Sequence, residues 1–286
     1  MTRSLVQTQF GTNAAAYATS AVHASGESLA MLVEMASPQA GWTGLDVATG
    51  AGHTALAFAP HVARMIASDI TEEMLAETRA LAAARGLGNV ATAVAAADRL
   101  PFADESLDLV TCRLAAHHFP DPAAFVSEAA RVLKRGGILA LVDNVSPDGE
   151  ILSGLDRAAL RNAVVVYNQF EKLRDPSHGR ALTVAEWAEV IADAGLEITQ
   201  RRVVAKAMEF GAWVRRMQCT PGTVARLSAM ISEGTDADVA EAHGAAGHST
   251  RDLVRFLMPR RDAEGLWISL RELVLVALKT GRAPAP

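Results

Sequence analysis

Between residues 43 and 143, short apolar runs alternate with stretches of helical period. Gly44 to Ala48 reads as a first strand, and a segment from about His53 to Pro60 as the helix after it. Met65 to Ser68 is the second strand and ends in Asp69. Thr71 stands where it can cap the next helix, Glu72 and Glu73 fill the first turn, and Gly86 closes it. Val90 to Ala95 is the third strand, followed by Asp98. Leu107 to Cys112 is the fourth, followed by Arg113 to His118. Pro122 opens a helix running to Lys134, and Gly136 and Gly137 turn the chain into a fifth strand, Ile138 to Asp143. Strands alternating with helices over short loops predict an α/β fold with a doubly wound parallel sheet. Such sheets bind ligands at the carboxyl ends of their strands, near the switch point.

The flanks keep a different rhythm. Residues 1–40 are mostly helical, with Phe10, Asn13 and Tyr17 about one turn apart on one face. This helix either packs on the sheet edge or forms a flap that brings Tyr17, and with it His23, to a ligand. A second helix, Glu27 to Ala36, ends near Pro38. Leu152 to Leu173 reads as a long helix, followed by a polar loop, Asp175 to Arg180. Thr183 caps a helix to Ala194, which Gly195 stops, and a sixth strand runs from Glu197 to Lys206. Residues 211–262 are helical, broken at Pro221, Gly234 and the stretch 244–247; Leu266 to Leu278 reads as a last strand. The organisation is thus a flap (1–40), a ligand-binding core (41–146), an insertion (147–182), more core (183–210), a second insertion (211–262), and the last strand with its tail (263–286). The insertions predict a helical cap over the carboxyl edge. Trp187, Trp213, Met217 and Phe256 either line that cap or form core.

Composition narrows the classes. The chain has 286 residues, 50% hydrophobic and 21% charged, enough for one large α/β domain or a domain with an inserted subdomain. A net charge of −5 with no long basic run argues against nucleic acid and acidic membrane surfaces as partners. No stretch is long enough to span a bilayer, and Met1 to Phe10 has no apolar core of signal-peptide length. Cys112 and Cys219, far apart in the chain, point to a reducing compartment and a cytoplasmic location.

The chemistry gathers at Leu45 to Ala55, a strand, a small-residue turn and a helix start. Gly50 and Gly52 permit positive φ and close approach of a ligand to the backbone. Two readings compete. Gly50-Ala51-Gly52-His53-Thr54-Ala55, with Asp69 at a suitable distance, fits a dinucleotide fingerprint. Against it, Asp46 would repel a pyrophosphate but suits an amino-acid ammonium group. Asp69 can accept two ribose hydroxyls, and Asp98 can accept an exocyclic adenine amine. Acids at the ends of successive strands fit S-adenosylmethionine better than NAD. Singly, each also has a local use: Asp46 in the turn, Asp69 at a helix start, Asp98 in solvent.

Leu45 to His53, Ser68-Asp69-Ile70-Thr71, Asp98-Arg99-Leu100-Pro101-Phe102 and Leu133-Lys134-Arg135-Gly136-Gly137 resemble the motifs of class I S-adenosylmethionine-dependent methyltransferases. Within that class the chain is most similar to the ubiquinone/menaquinone-biosynthesis-type branch, a widespread small-molecule group. The resemblance covers about residues 43–143 and the last strand. It implies a Rossmann-like seven-stranded sheet with its last strand antiparallel, and S-adenosylmethionine as cofactor. It also implies a cofactor site drawn from Tyr17, Asp46, Ala48, Gly50, Gly52, Asp69, Ile70, Asp98, Arg99 and Arg113. Ala48 departs from the pattern, standing where the family often has its first glycine.

Transfer of a sulfonium methyl needs alignment and exclusion of water, and a base only where the acceptor holds its proton. His117 and His118 follow the fourth strand directly. His117 is expected to face the methyl, with His118 as the second choice; alternatively both only shape the loop. His23, Asn144, His178 and Arg180 are candidates for holding the acceptor, with solvated surface as the other reading for His178 and Arg180. No cluster has metal-ligand spacing, so no metal is expected. The expected partner is a small-molecule acceptor, and the expected state a monomer or homodimer. A catalytically idle cofactor-binding partner, or alkylation coupled to cyclisation, remain as alternatives.

Overall fold

The computed structural model describes Leu5, Gln7 and residues 26–232 and 250–280. Tyr17 and His23 lie outside the described residues. The chain splits into two compact units. The first draws on Met1–Asp143, Trp187–Val203 and Leu273–Pro286, the second on Asn144–Glu186 and Val204–Glu272.

In chain order come α1 (Glu27–Ala36), β1 (Thr43–Val47), α2 (His53–Phe58), β2 (Arg64–Asp69), α3 (Glu72–Ala84), β3 (Val90–Val94), β4 (Leu107–Arg113), α4 (Pro122–Val132) and β5 (Leu133–Asn144). They are followed by α5 (Arg157–Arg174), α6 (Val184–Asp193), β6 (Leu196–Glu209), α7 (Phe210–Arg216), α8 (Pro221–Ile231), α9 (Arg251–Leu257), β7 (Arg260–Asp262) and β8 (Gly265–Lys279).

The sheet order is β3-β2-β1-β4-β5-β8-β6, with β7 paired to β8. β1 is the hinge of this order. It pairs in parallel with β2 on one side, Leu45 opposite Ile66, and with β4 on the other, Leu45 opposite Val110. The connections leave β1 and β4 in opposite directions, which opens a crevice at their carboxyl ends. The central strands carry near-continuous apolar runs because both faces are covered; Leu45, Val47, Leu109, Val110, Leu139 and Leu141 are all buried.

Local chemistry explains the helix limits. Asp121 accepts the N–H groups of Ala123 and Ala124 ahead of α4, with Pro122 at the first helical position. Thr183 and Glu186 close a reciprocal capping box on α6: Glu186 N–H donates to Thr183 Oγ1, and Thr183 N–H to Glu186 Oε2.

The structure corrects several sequence expectations. Among the described residues the seven-stranded path carries one further short strand, because Arg260–Asp262 is not helical but pairs with β8 in a tight hairpin. Asp262 Oδ1 organises that turn by accepting from the N–H groups of Glu264 and Gly265 and from Trp267 Nε1. The long helix begins at Arg157 rather than Leu152, because Asp156 caps Ala158 and Ala159. Thr71 occupies the cap position of α3 but makes no capping bond there.

The second unit has its own apolar core, in which Tyr167, Phe170, Trp213 and Phe256 pack with Leu227 and Leu253. Phe170 stacks on Trp213 with ring centroids 5.2 Å apart, and the Arg174 guanidinium lies 4.5 Å from the same ring's centroid. Trp213, Met217 and Phe256 are therefore core, and Trp187 is buried in the first unit. No helix among the described residues is long and apolar enough to cross a membrane.

Candidate functional site

The turn after β1 is left-handed at three places: Ala48 (φ 53°), Gly50 (φ 55°) and Gly52 (φ 89°). Gly52 is required twice over. Beyond its dihedral, a Cβ there would lie 2.6 Å from Thr78 Cγ2 on α3. Thr78 also donates its hydroxyl to the Gly50 carbonyl at 3.0 Å, clamping the turn to that helix. Ala48 has no such freedom and holds a conformation that an L-residue adopts at a cost of about 1–2 kcal/mol.

Two carboxylates hold this turn in place. Asp69, at the tip of β2, accepts from Gly50 N at 2.9 Å through Oδ2 and from Thr71 N at 2.9 Å through Oδ1. Asp46, at the end of β1, accepts from Thr49 Oγ1 (2.6 Å), Thr111 Oγ1 (2.6 Å) and Ala55 N (3.1 Å). Burial pushes the Asp46 carboxyl up to about 6, against the pull of those bonds and of the Arg113 charge. Burial raises the Asp69 carboxyl as well, opposed by the N–H groups of Gly50 and Thr71.

A cavity of about 400 Å³ opens at this crevice, within the first unit. Its size suits a small organic ligand. Of the residues singled out in the sequence, Ala48, Gly50, Asp69, Ile70, Asp98, Arg113 and His118 stand on its wall. Arg113 is anchored by Nε to Thr54 Oγ1 at 3.1 Å. Other wall residues carried no signal of their own in the sequence: Thr49, His53, Met74, Leu114 and Phe119. His53 could have been suspected, since it follows Gly52 directly. Leu114 could not, because only the folded backbone reveals its left-handed φ of 55°.

Several expected site residues stand elsewhere. Asp46 is 1% exposed and lies beneath the turn, bonded to the protein rather than facing the cavity. Gly52 shapes the turn without lining the space, and Arg99 is exposed in an isolated bridge with Ala96. The two histidines are placed differently. His118 is on the wall, whereas His117 is buried with Nδ1 2.6 Å from Asp143 Oδ1. Their rings touch, centroids 4.2 Å apart. His178 is buried in the second unit with Nε2 2.9 Å from Asn168 Oδ1, so it is not a surface group. Arg180 is exposed and paired with Glu186, and Asn144 is half-buried at the end of β5. The Cys112 thiol is pushed well up by burial and by the charges of Asp143 and Asp46, which leaves it inert.

These donors and acceptors decide between the two nucleotide readings. The Gly50 and Ala55 N–H groups, which a pyrophosphate would need, are already bonded to carboxylates. Asp69 stands on the cavity wall, its carboxyl held by the Gly50 N–H through Oδ2 and the Thr71 N–H through Oδ1. The wall thus presents the carboxyl groups of Asp69 and Asp98 as hydrogen-bond acceptors.

Residues 45–141 match the family model of the methyltransferase domain. YcgJ of Bacillus subtilis, an uncharacterised methyltransferase, is 36% identical over 210 residues, covering 73% of this chain and 79% of its own. Its crystal structure superposes with a TM-score of 0.71 at 28% identity, over 88% of this chain and 97% of that one. BH2331 of Bacillus halodurans, described as a candidate methyltransferase, gives a TM-score of 0.75 at 35% identity over 89% and 99% of the two chains. The ubiquinone/menaquinone biosynthesis C-methyltransferase UbiE of Marinomonas is 32% identical over 125 residues, 42% of this chain and 50% of its own. The chain belongs to the class I S-adenosylmethionine-dependent methyltransferases, and S-adenosylmethionine is its cofactor.

Proposed function

We propose that the enzyme methylates a small-molecule acceptor by in-line displacement at the cavity beside β1, β2 and β4. The observation that carries this reading is Asp69, fixed by Gly50 N and Thr71 N at the cavity wall. Asp69 holds the two ribose hydroxyls, and Asp98 accepts the adenine amine. S-adenosylmethionine, when bound, supplies a methyl group already activated on a sulfonium. The chain's own task is then alignment and dryness. Ile70, Met74, Leu114 and Phe119 give the cavity an apolar lining that keeps water out. His118 is the group placed to take a proton from an acceptor that holds one at neutral pH. His117 and Asp143 support it from behind. Two free thiols, Cys112 and Cys219, support a reducing, cytoplasmic setting.

The test is to incubate the enzyme with methyl-labelled cofactor and a metabolite extract and follow the label by mass. Label in a low-mass product supports the reading. Label confined to protein or RNA, or products carrying no label, would overturn it.

A further inference from the structure

A second concave site lies wholly within the second unit. Its cavity of about 690 Å³ runs along α5 and the loop that carries Arg180. Arg157, Arg161, Lys172 and Arg180 line it. Positions 157, 161, 168 and 172 are separated by steps of four and seven, which return to one helix face. Leu160 and Val164 give that face an apolar floor.

Two acids share the lining, but neither neutralises the helix cations. Asp148 is taken up by the N–H groups of Glu150, Ile151 and Val184. Glu186 holds Arg180 and accepts the Thr183 N–H. Asp156, at the exposed start of α5, feels the Arg161 charge; its carboxyl is held down chiefly by the N–H groups of Ala159 and Ala158 that it caps. Among the described residues, no carboxylate forms an ion pair with Arg157, Arg161 or Lys172. Like charges gathered on one concave face, in a chain of net charge −5, favour a negatively charged occupant.

We propose that this groove binds a compact polyanion: a small molecule with a phosphate or diphosphate head and an apolar body that rests on Leu160 and Val164. The guanidinium groups of Arg157 and Arg161 suit bidentate contact with phosphate oxygens, and Lys172 adds a point charge. The groove shares no lining residue with the cavity beside β1.

Calorimetry of the whole chain with inorganic pyrophosphate at low salt tests it. One saturable site per chain is expected, weakening as sodium chloride is raised. Arg161→Gln combined with Lys172→Gln should weaken binding at least about tenfold, as expected for lost charge-assisted bonds. Both residues are exposed, so the variant should fold, and S-adenosylhomocysteine affinity should be unchanged. Arg202→Gln, which removes an exposed charge on β6, should leave pyrophosphate binding intact. The absence of saturable binding overturns the proposal. So does binding that survives the double substitution, or an equal loss with Arg202→Gln.

Discussion

His117 Nδ1 lies 2.6 Å from Asp143 Oδ1, and both side chains are buried, with Asp143 0% exposed. Asp143 Oδ2 has no hydrogen-bond partner, so His117 is the chief compensation for that carboxylate. Removing one member of a buried pair leaves the other stranded, at a cost of about 3–5 kcal/mol. His117→Ala is therefore expected to lower the free energy of unfolding by about that amount in urea titrations. A loss under about 1 kcal/mol would show that the pair contributes little.

His118 should behave in the opposite way. It stands half-buried at the cavity wall, and His118→Ala should change stability by less than about 1 kcal/mol. Turnover of an acceptor that must lose a proton should fall about a hundredfold, and the pH profile of the rate should change. Near-normal turnover with an unchanged pH profile would leave alignment as the enzyme's sole contribution.

Asp46 sets a pH dependence of stability. Its carboxyl is raised from 3.8 to about 6 by burial, so the native state holds the proton more tightly than the unfolded chain. The favourable contribution is complete below about pH 4 and is lost as pH rises through about 6, amounting to about 3 kcal/mol. The stability difference between wild type and Asp46→Asn should therefore drift by that order between pH 4 and 7, with the wild type losing ground as pH rises. A difference constant across that window would contradict it.

The turn after β1 allows a paired test of strain. Ala48→Gly places the permissive residue at φ 53° and should stabilise the protein by about 0.5–1 kcal/mol, once the extra chain entropy of glycine is offset. Gly52→Ala should destabilise by about 2–4 kcal/mol, since it adds left-handed strain to a contact with Thr78. Thermal and urea unfolding of both variants check the signs.

The sequence showed the strand–turn–helix at Leu45 to Ala55, the run of parallel strands, and Asp69 at a strand tip, because periodicity and turn residues encode these locally. It could not show that Asp46 lies beneath the turn, bonded to the protein, and not on the cavity wall. One of its partners, Thr111, comes from a strand 65 positions along the chain. Nor could it orient His117 and His118. They share a short 3-10 turn, Ala116–His118, in which neighbouring side chains diverge widely, and Asp143 decides which one points inward. The β7–β8 hairpin leaves no pattern in the sequence because Arg260, Arg261 and Asp262 are all exposed and carry no apolar alternation.

Titration calorimetry of the purified enzyme with S-adenosylmethionine, S-adenosylhomocysteine and NADH, on wild type and Asp69→Ala, bears on everything built around the Gly50–Asp69 contact. Both sulfur nucleotides should bind the wild type and NADH should not, because carboxylates already occupy the N–H groups a pyrophosphate needs. Asp69→Ala should weaken S-adenosylmethionine by about 1–3 kcal/mol, the range for hydrogen bonds to a charged acceptor. NADH binding more tightly than S-adenosylmethionine, or an Asp69→Ala variant with undiminished affinity, would contradict the assignment of this cavity.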